Sequence, residues 1–316
     1  MMMHSVSAFW ARYGRSLTAW SLMSGALLVG MTSLSAQARL DLAKPDDALK
    51  ASRRFQCSLD DGKAVVFSWR GGVMSRVPGE QDRHLFNVEG MSVRQCGTQT
   101  DAARGYGYRM VSREILLYLD PKTNEPLRTW NNPWTGAANT VIHVANDPVN
   151  SGPTFARNDK GEPFRWSGRN VRGRIWQSIE VPLFYSNPLG GEYQDFVGGN
   201  YQAVEMFDFF MDEQDLLDPA RDMQTVTIAW GRISQWLPWM NMGDRPGMLV
   251  FTTVGKRLNN VANLPEVMKN EIRASYPAYA SPPPLDDARP NETSWTYFKK
   301  KLDEKRPAPK GPGRER

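Results

Sequence analysis

Cysteine and histidine are scarce in this chain of 316 residues. It has two cysteines, Cys57 and Cys96, and three histidines, of which His84 and His143 lie beyond the first 38 residues. Structural zinc sites take about four Cys or His ligands, so we predict no metal site. Paired glycines occur without the strand, Gly-rich loop and helix that a phosphate-binding loop requires. We therefore predict no nucleotide or other cofactor.

Acidic residues are absent from the first 38 residues, and this absence points to an export signal. Arg12 and Arg15 stand near the start, an apolar stretch runs from Leu17 to Met31, and Ala36-Gln37-Ala38 follows. This order is typical of a signal peptide, and we predict cleavage after Ala38. An uncleaved membrane anchor is the alternative, although a spanning helix needs about 20 apolar residues. No later segment predicts a span, so we expect a periplasmic or secreted protein.

The chain has no strong charge of either sign once its two ends are set aside. The total is +5, but residues 1–38 carry +2 and residues 299–316 carry +5, which leaves −2 for residues 39–298. Nucleic-acid-binding proteins have a strong positive field, so we predict no nucleic-acid partner. The basic, proline-containing segment 299–316 is typical of a solvated tail, with a contact to anionic lipid or to a partner as the alternative.

Both cysteines lie in the part of the chain that we expect to be exported, where an oxidising compartment permits pairing. We predict a disulfide between Cys57 and Cys96, with two separate buried thiols as the alternative. A disulfide that closes a loop of this length stabilises a fold by about 3–4 kcal/mol in the chain-entropy model.

Short segments rich in Val, Phe, Met and other apolar residues, separated by Gly, Pro, Asp and Asn, occupy most of residues 39–298. The clearest are Ala64–Trp69, Gly72–Val77, His84–Val88, Met91–Cys96, Tyr106–Val111, Arg113–Leu119, Arg172–Tyr185, Tyr201–Phe210, Gln224–Trp236 and Met248–Val254. This pattern predicts antiparallel hairpins. Because β-α-β alternation is missing, a parallel fold is disfavoured. We predict one mainly β domain over residues 39–298, either an antiparallel β-barrel of the calycin type or a sandwich.

Helices are expected only at the periphery and near the C-terminus. Asp41–Arg54 and Leu264–Ser275 have helical character, and Asn291 or Thr293 offers an N-cap for a last helix that reaches about Asp303. The aromatic residues of this last helix are too apolar to remain in water, so we expect it to pack against the domain.

The densest unusual segment contains Trp130, Asn131 and Asn132 and is followed by His143 and Asp147. Its Asn and Pro residues are typical of turns, and its tryptophans are typical of a core. The functional alternative is a pair of loops that present amides, an imidazole and indoles to a cavity. A lone His is more often structural than catalytic, yet His143 titrates in the right range for a general base, with Asp147 or Glu205 as its partner.

An acidic residue stands on an apolar strand face in the segment Tyr201–Phe210. Glu205 shares strand parity with Tyr201 and two phenylalanines, and an ionised carboxylate there is costly unless it is paired. Arg232 on a later strand is the candidate partner, and such a pair is either structural or anchors a ligand. Trp176 breaks the alternation of its own strand and is also kept as a candidate ligand-binding residue.

Three further tryptophans, Trp230, Trp236 and Trp239, cluster in a segment of ten residues. Large side chains are needed simply to fill a barrel, and core filling is therefore the ordinary interpretation. The functional interpretation is that they line a pocket for a flat or apolar ligand.

Several longer motifs together resemble one bacterial family. They are Tyr118-Leu-Asp-Pro-Lys-Thr-Asn, Leu127-Arg-Thr-Trp-Asn-Asn-Pro-Trp-Thr-Gly, His143-Val-Ala-Asn-Asp-Pro-Val-Asn, Tyr201-Gln-Ala, Trp236-Leu-Pro-Trp-Met-Asn-Met-Gly and Asn291-Glu-Thr-Ser-Trp-Thr-Tyr-Phe-Lys. The chain resembles the family called domain of unknown function 1838 over nearly all of its exported part. The resemblance implies a single domain, usually with an export signal, and it assigns no activity and no catalytic residue.

The sequence therefore favours an exported β-barrel that binds a small hydrophobic or aromatic molecule in its interior and that isomerises or cleaves it if it is an enzyme. The candidate site joins His143, Glu205 and Asp147 as catalytic residues with the tryptophans, asparagines, Tyr201 and Arg232 named above as ligand-binding residues. The alternative is a non-catalytic periplasmic scaffold that holds partners on its surface.

Overall fold

Alternation of apolar and polar residues along the predicted strands gives a large antiparallel sheet. The computed structural model describes residues 39–185, 201–221, 223 and 225–305, and the predicted signal peptide and residues 306–316 of the basic tail lie outside them. Every strand pair in these ranges is antiparallel. The prediction of a mainly β, antiparallel fold with few helices is confirmed.

The strands and helices have the following bounds. The strands are β1 Val65–Arg76, β2 Arg83–Asp101, β3 Gly105–Leu119, β4 Thr129–Asn131, β5 Ala138–Thr140, β6 Val144–Asn146, β7 Thr154–Phe155, β8 Arg169–Val171, β9 Arg174–Tyr185, β10 Tyr201–Asp212, β11 Thr227–Ser234 and β12 Met248–Leu258. The helices are α1 Pro45–Gln56, α2 Glu213–Leu217, α3 Glu266–Ser275 and α4 Ser294–Asp303. Ten strands form one sheet in the order β6-β3-β2-β1-β12-β11-β10-β9-β8, with β7 also paired to β3, while β4 and β5 form a separate ribbon.

The large sheet curls so that side chains from its two ends meet on one face. Leu116 of β3 and Val181 of β9 lie far apart in the strand order, yet both line the same cavity. We call this side of the sheet the concave face. Its main apolar cluster joins Phe67 of β1, Phe209 of β10 and Phe251 of β12. Within the described ranges the terminal strands β6 and β8 do not pair with each other, so the strand pairing stops short of a closed barrel.

One close approach on the concave face depends on glycine. Trp69 of β1 lies opposite Gly90 of β2 and Gly255 of β12 in the register. A Cβ atom on Gly90 would lie 2.2 Å from the indole Nε1 of Trp69, which is far inside van der Waals contact. Glycine at this position therefore allows the indole to lie flat against β2.

The opposite face of β1, β2 and β3 is covered by the C-terminal part of the chain. Met91, Val93 and Leu117 pack there against Met268 and Ile272 of α3. The helix α3 begins two residues after the predicted start, because Pro265 occupies its N-cap position. The central strands are thus buried on both faces.

The first helix lies at one end of the curled sheet and is fixed by a disulfide. Pro45 at its start, acidic residues in its first turn and basic residues in its last turn favour a helix here. Cys57 follows the helix and bonds to Cys96 of β2. The predicted disulfide is confirmed. Arg54, which is 4% exposed, donates to the carbonyl oxygens of Asp215 and Leu216 in α2.

The last helix packs against the domain as expected from its aromatic residues. Thr293 and Thr296 cap it reciprocally, so the predicted Thr293 N-cap is confirmed. Trp295 lies edge to face with Tyr201 of β10, with 4.6 Å between ring centroids, and α4 also contacts β6. The helix therefore touches both ends of the curled sheet. In the described ranges no helix combines the length and apolar character that a membrane span needs.

Candidate functional site

A cavity of about 310 Å³ opens on the concave face between the two ends of the sheet. Its apolar wall includes Trp69, Trp230, Phe207, Phe251 and the aliphatic residues Val181 and Leu183. Residues 291–295, just before and at the start of α4, form another wall. The volume lies at the lower end of the range of about 300–1,000 Å³ that is usual for ligand pockets.

An ion pair between the buried Arg232 and the partly buried Glu205 lines the cavity. Arg232 Nη1 donates to Glu205 Oε1 at 2.7 Å across the β10–β11 pair, where the two residues face each other in the register. Arg232 Nη2 donates to the hydroxyl oxygen of Tyr201. Arg232 is 8% exposed and Tyr201 is 1% exposed. The pairing of Glu205 with Arg232 that strand parity indicated is therefore present, and Tyr201 joins it.

A second carboxyl group, Glu114 of β3, lines the same cavity. In the register it faces Ser92 of β2, whose hydroxyl oxygen accepts hydrogen bonds from Arg94 Nε at 3.2 Å and Nη2 at 2.9 Å. The pKa of Glu114 is raised to about 6: burial is the main cause and the charge of Glu205 adds to it, while Arg94 and Ser92 act in the opposite direction. Glu114 and Glu205 thus lie in different electrostatic surroundings, and Glu292 before α4 adds a third carboxyl group to the lining of the cavity.

Several polar atoms of cavity-lining residues are buried without a hydrogen bond. Arg232 Nε, Trp69 Nε1, Trp295 Nε1 and Asn146 Oδ1 have no hydrogen-bond partner among the described residues. An unpaired buried donor costs about 1–3 kcal/mol. Three of these four atoms are N–H donors, so a molecule with acceptor atoms that enters the cavity can offset part of this cost.

The other predicted tryptophans lie in a part of the same apolar core that we call the tryptophan cluster: Phe86, Tyr118, Trp130, Trp134, Trp236 and Trp239. Trp130 and Trp239 are perpendicular with 5.8 Å between centroids, and Trp134 lies 5.0 Å from Trp236. Only Tyr118 of this cluster also lines the cavity. Trp130, Trp236 and Trp239 are therefore placed as core residues.

The two asparagines of the Trp-Asn-Asn-Pro segment serve the turn. Asn132 is 1% exposed, its Oδ1 accepts from the Trp134 N–H at 2.9 Å, and its Nδ2 donates to the Met240 carbonyl at 3.2 Å. Asn131 is exposed on β4. Neither residue lines the cavity.

His143 is buried beside the tryptophan cluster and does not line the cavity. Its Nδ1 accepts the Tyr118 backbone N–H at 3.1 Å, and the two rings stack with 6.0 Å between centroids. Burial, together with the charge of the nearby Arg128, lowers the pKa of His143 to about 4. The imidazole is therefore neutral over the physiological range, in a position that supports β3.

Asp147 and Trp176 lie away from the cavity. Asp147 forms ion pairs with Arg113 at 3.0 Å and with Arg289 at 2.7 Å, which tie the segment before α4 to the sheet. Trp176 lies on the convex face of β9, where its Nε1 donates to Asp208 Oδ1 at 2.7 Å. Of the predicted site residues, the structure brings together Tyr201, Glu205, Trp230 and Arg232.

Glu114 and Trp69 are cavity residues that the sequence interpretation missed. Glu114 lies on a predicted strand, at a spacing of two residues from Leu116 and Tyr118. Strand alternation therefore placed it on an apolar face, and the same signal had identified Glu205. The position of Trp69 was harder to find, because it depends on the two facing glycines of neighbouring strands.

A larger depression of about 460 Å³ lies near the disulfide and is lined by Lys63, Arg221 and Arg257 among others. Arg257 there donates to the carbonyl oxygens of Arg54 and Cys57, and the walls are mainly polar. Arg54 and Arg257 in this depression are already bonded to backbone carbonyls, so the cavity is the better candidate site. Among the described residues no group of three or more His, Cys, Asp or Glu side chains is placed to hold a metal ion.

Comparison with known proteins places the chain by sequence. A search of curated proteins gives no match. The crystal structure of Ail, the attachment invasion locus protein of Yersinia pestis, aligns with 63% of this chain and 100% of its own at 6% identity, and its TM-score of 0.15 supports no inference about this chain. The model of a family described as a protein of unknown function, DUF1838, matches residues 62–302. The chain therefore belongs to the DUF1838 family.

Proposed function

We propose that this protein binds a small, largely apolar or aromatic molecule in the cavity on its concave face. The observation that carries the proposal is the pairing of an aromatic wall with buried polar groups, Arg232 above all, in one cavity. A core that only filled the sheet would bury apolar groups there and would not need an ion pair such as that between Glu205 and Arg232.

We further propose that the sheet acts as an open barrel in which α4 occupies the gap between the two ends. Trp295 contacts β10, and α4 contacts β6, so the helix bridges strands that do not pair with each other in the described ranges. The sequence of residues 1–38 supports export, and the Cys57–Cys96 disulfide suits an oxidising compartment such as the periplasm.

The binding proposal is tested by blocking the cavity. Val181 lines it from β9, and Phe in its place occupies part of the space, so Val181→Phe should reduce ligand retention at least tenfold. The matched control is Val204→Phe, because strand parity places Val204 on the convex face of β10. Each purified protein is incubated with a metabolite extract and examined by native mass spectrometry.

Retention by the wild type and by Val204→Phe, together with its loss in Val181→Phe, would support binding in the cavity. Thermal unfolding shows whether each variant is folded, since overpacking can cost about 1–3 kcal/mol. If no species is retained by the wild type from any extract, the proposal fails. The alternative of a surface that holds partners is then favoured, since Phe184 and Val254 on the convex face are 61% and 64% exposed.

A further inference from the structure

We infer that Glu114 is the proton-transferring side chain of the cavity and that it acts on a small molecule whose reacting carbon lies next to a carbonyl group. This inference rests on the proposed function, because it requires the cavity to bind the molecule. The inference assigns to Glu114 the acid–base role that the sequence analysis gave to His143.

The geometry gives Glu114 access to a bound molecule and supports it from behind. Its side chain lines the cavity and is partly exposed there. Ser92 faces it across the β2–β3 pair, and the Ser92 oxygen already accepts two hydrogen bonds from Arg94, which is 7% exposed. The single hydrogen of the Ser92 hydroxyl is therefore available to Glu114.

Two of the three carboxyl groups of the cavity, Glu114 and Glu205, have different electrostatic surroundings, which is the usual sign of distinct acid–base roles. Glu205 is held by Arg232 at 2.7 Å. Glu114 has no Lys or Arg nitrogen within 4.0 Å of its carboxylate in the described part of the chain. The charged and titratable groups that face it are Arg94 from β2, Glu205 and Tyr201 from β10, Arg232 from β11 and Glu292 before α4. Its pKa of about 6 allows both protonation states near neutral pH.

The unpaired donors define the class of molecule. Arg232 Nε, Trp69 Nε1 and Trp295 Nε1 are N–H groups on side chains that are each more than nine-tenths buried and that line the cavity. A carbonyl oxygen accepts such hydrogen bonds, while the aromatic and aliphatic wall suits the hydrocarbon part of the molecule. A free carboxylate is less suited, because Glu205 and ionised Glu114 repel it.

The proposed step conserves all atoms and electrons. The Glu114 carboxylate removes a proton from the carbon next to the carbonyl, the C–H electron pair becomes a C=C bond, and the carbonyl π pair moves to the oxygen. The N–H donors stabilise the resulting enolate oxygen. Glu114 then returns the proton to the same carbon or to one conjugated with it. The result is proton exchange or isomerisation, and no oxidant or other reactant is needed.

The test uses ketones as probes. Cyclopentanone, acetophenone, 2-indanone and 2-tetralone are incubated with the full exported chain in D2O, and loss of the α-proton signals is followed by NMR. Binding of each ketone is measured separately by the change in tryptophan fluorescence, since Trp69, Trp230 and Trp295 line the cavity. General acid–base catalysis contributes about 10²–10⁴ in rate, so Glu114→Gln should lose at least 100-fold in exchange and keep its ketone affinity.

The matched control is Glu180→Gln, which removes an exposed carboxylate from the convex face of β9 and should exchange like the wild type. Exchange by the wild type should rise with pH through about 6, as Glu114 ionises. Ser92→Ala should move this midpoint to higher pH, because the hydrogen bond that favours the ionised form is lost. A purely structural role of Glu114 would not couple the pH profile to Ser92.

The outcomes separate this inference from the proposed function. Ketone binding with equal exchange rates in the wild type and Glu114→Gln would overturn the inference and leave the binding proposal intact. If native mass spectrometry shows a retained molecule that is not a ketone, and no ketone binds, the inference is likewise overturned and the binding proposal remains. No retention of any molecule would overturn both. Glu114→Asp provides a second carboxyl variant if Glu114→Gln proves unstable.

Discussion

Single buried residues explain how this fold keeps polar groups in its interior. His143 is one case, because its Nδ1 accepts a backbone N–H and its neutral ring stacks on Tyr118, although its Nε2 has no hydrogen-bond partner among the described residues. Arg54 and Arg94 are likewise buried, yet their guanidinium groups donate to backbone carbonyls or to a serine hydroxyl. These residues hold loops and strands in place, whereas Glu114 keeps its carboxyl group at the cavity.

The buried His143 gives stability a defined pH dependence. Its pKa falls from 6.5 to about 4 on folding, so between these values the unfolded chain binds a proton that the folded chain does not. The stability it confers is complete above about pH 6.5 and is lost as the pH falls towards 4. The free energy of unfolding of the wild type should fall as the pH is lowered from 7 to 4.5. In His143→Asn, which keeps a hydrogen-bond acceptor, this fall should be smaller by about 2–3 kcal/mol.

Urea denaturation at both pH values measures this difference, and His84→Asn at an exposed position is the matched control. Glu114 acts in the opposite sense, because its raised pKa makes the folded state bind the extra proton between 4.5 and about 6. Because Glu114 is present in the wild type and in both histidine variants, its contribution cancels when their free energies of unfolding are compared. Equal losses in the wild type and His143→Asn would contradict the prediction.

At the scale of elements, the disulfide joins the end of α1 to β2 across 39 residues. Closing such a loop stabilises the folded state by about 4 kcal/mol in the chain-entropy model. The helix is also held by Arg53, which bonds to the Ser58 carbonyl and to Asp61. We therefore expect the double variant Cys57→Ser with Cys96→Ser to fold with a free energy of unfolding lowered by about 3–4 kcal/mol. Urea denaturation checks this, and an unchanged midpoint would show that the bond constrains little.

Much of the element layout could be predicted because it depends on local signals. Strand alternation, the Thr293 cap and the aromatic residues of α4 are all visible in short stretches of sequence. The first helix begins at Pro45, four residues later than predicted, because proline at N1 sets its start. Trp176 departs from the alternation of its strand, and the structure places it on the convex face with Asp208.

The composition of the site was less accessible from the sequence, because it depends on which strands meet. Glu205 and Arg232 could be paired by parity alone, since their strands are neighbours in sequence. The meeting of Glu114 with Glu205 requires the curl that brings β3 to β10, and no local pattern specifies that curl. The tryptophan-rich segments suggested a ligand site, because composition alone does not distinguish a packed aromatic cluster from a cavity lined by aromatic residues.

For the whole molecule, burial is uneven across the sheet. The strands β1 and β2 are central, have partners on both sides, and are covered by apolar groups on both faces. At the other end, all three residues of the edge strand β8 are exposed, and Phe184 of β9 is 61% exposed. Local opening therefore costs least near β8 and most in the centre.

Native-state hydrogen exchange measures this difference. We expect amides of β1, β2 and β12 to exchange only through global unfolding. Those of β8, and of the part of β9 beyond its pairing with β8, which contains Val181 and Leu183, should exchange at least 100-fold faster. The β9 wall of the cavity then belongs to the easily opened part, which gives a small molecule a route past Val181 and Leu183. A bound ligand should slow exchange in β9 and leave β1 unchanged. Uniform protection across all these strands would mean that the sheet opens as one unit and that entry must occur beside α4 instead.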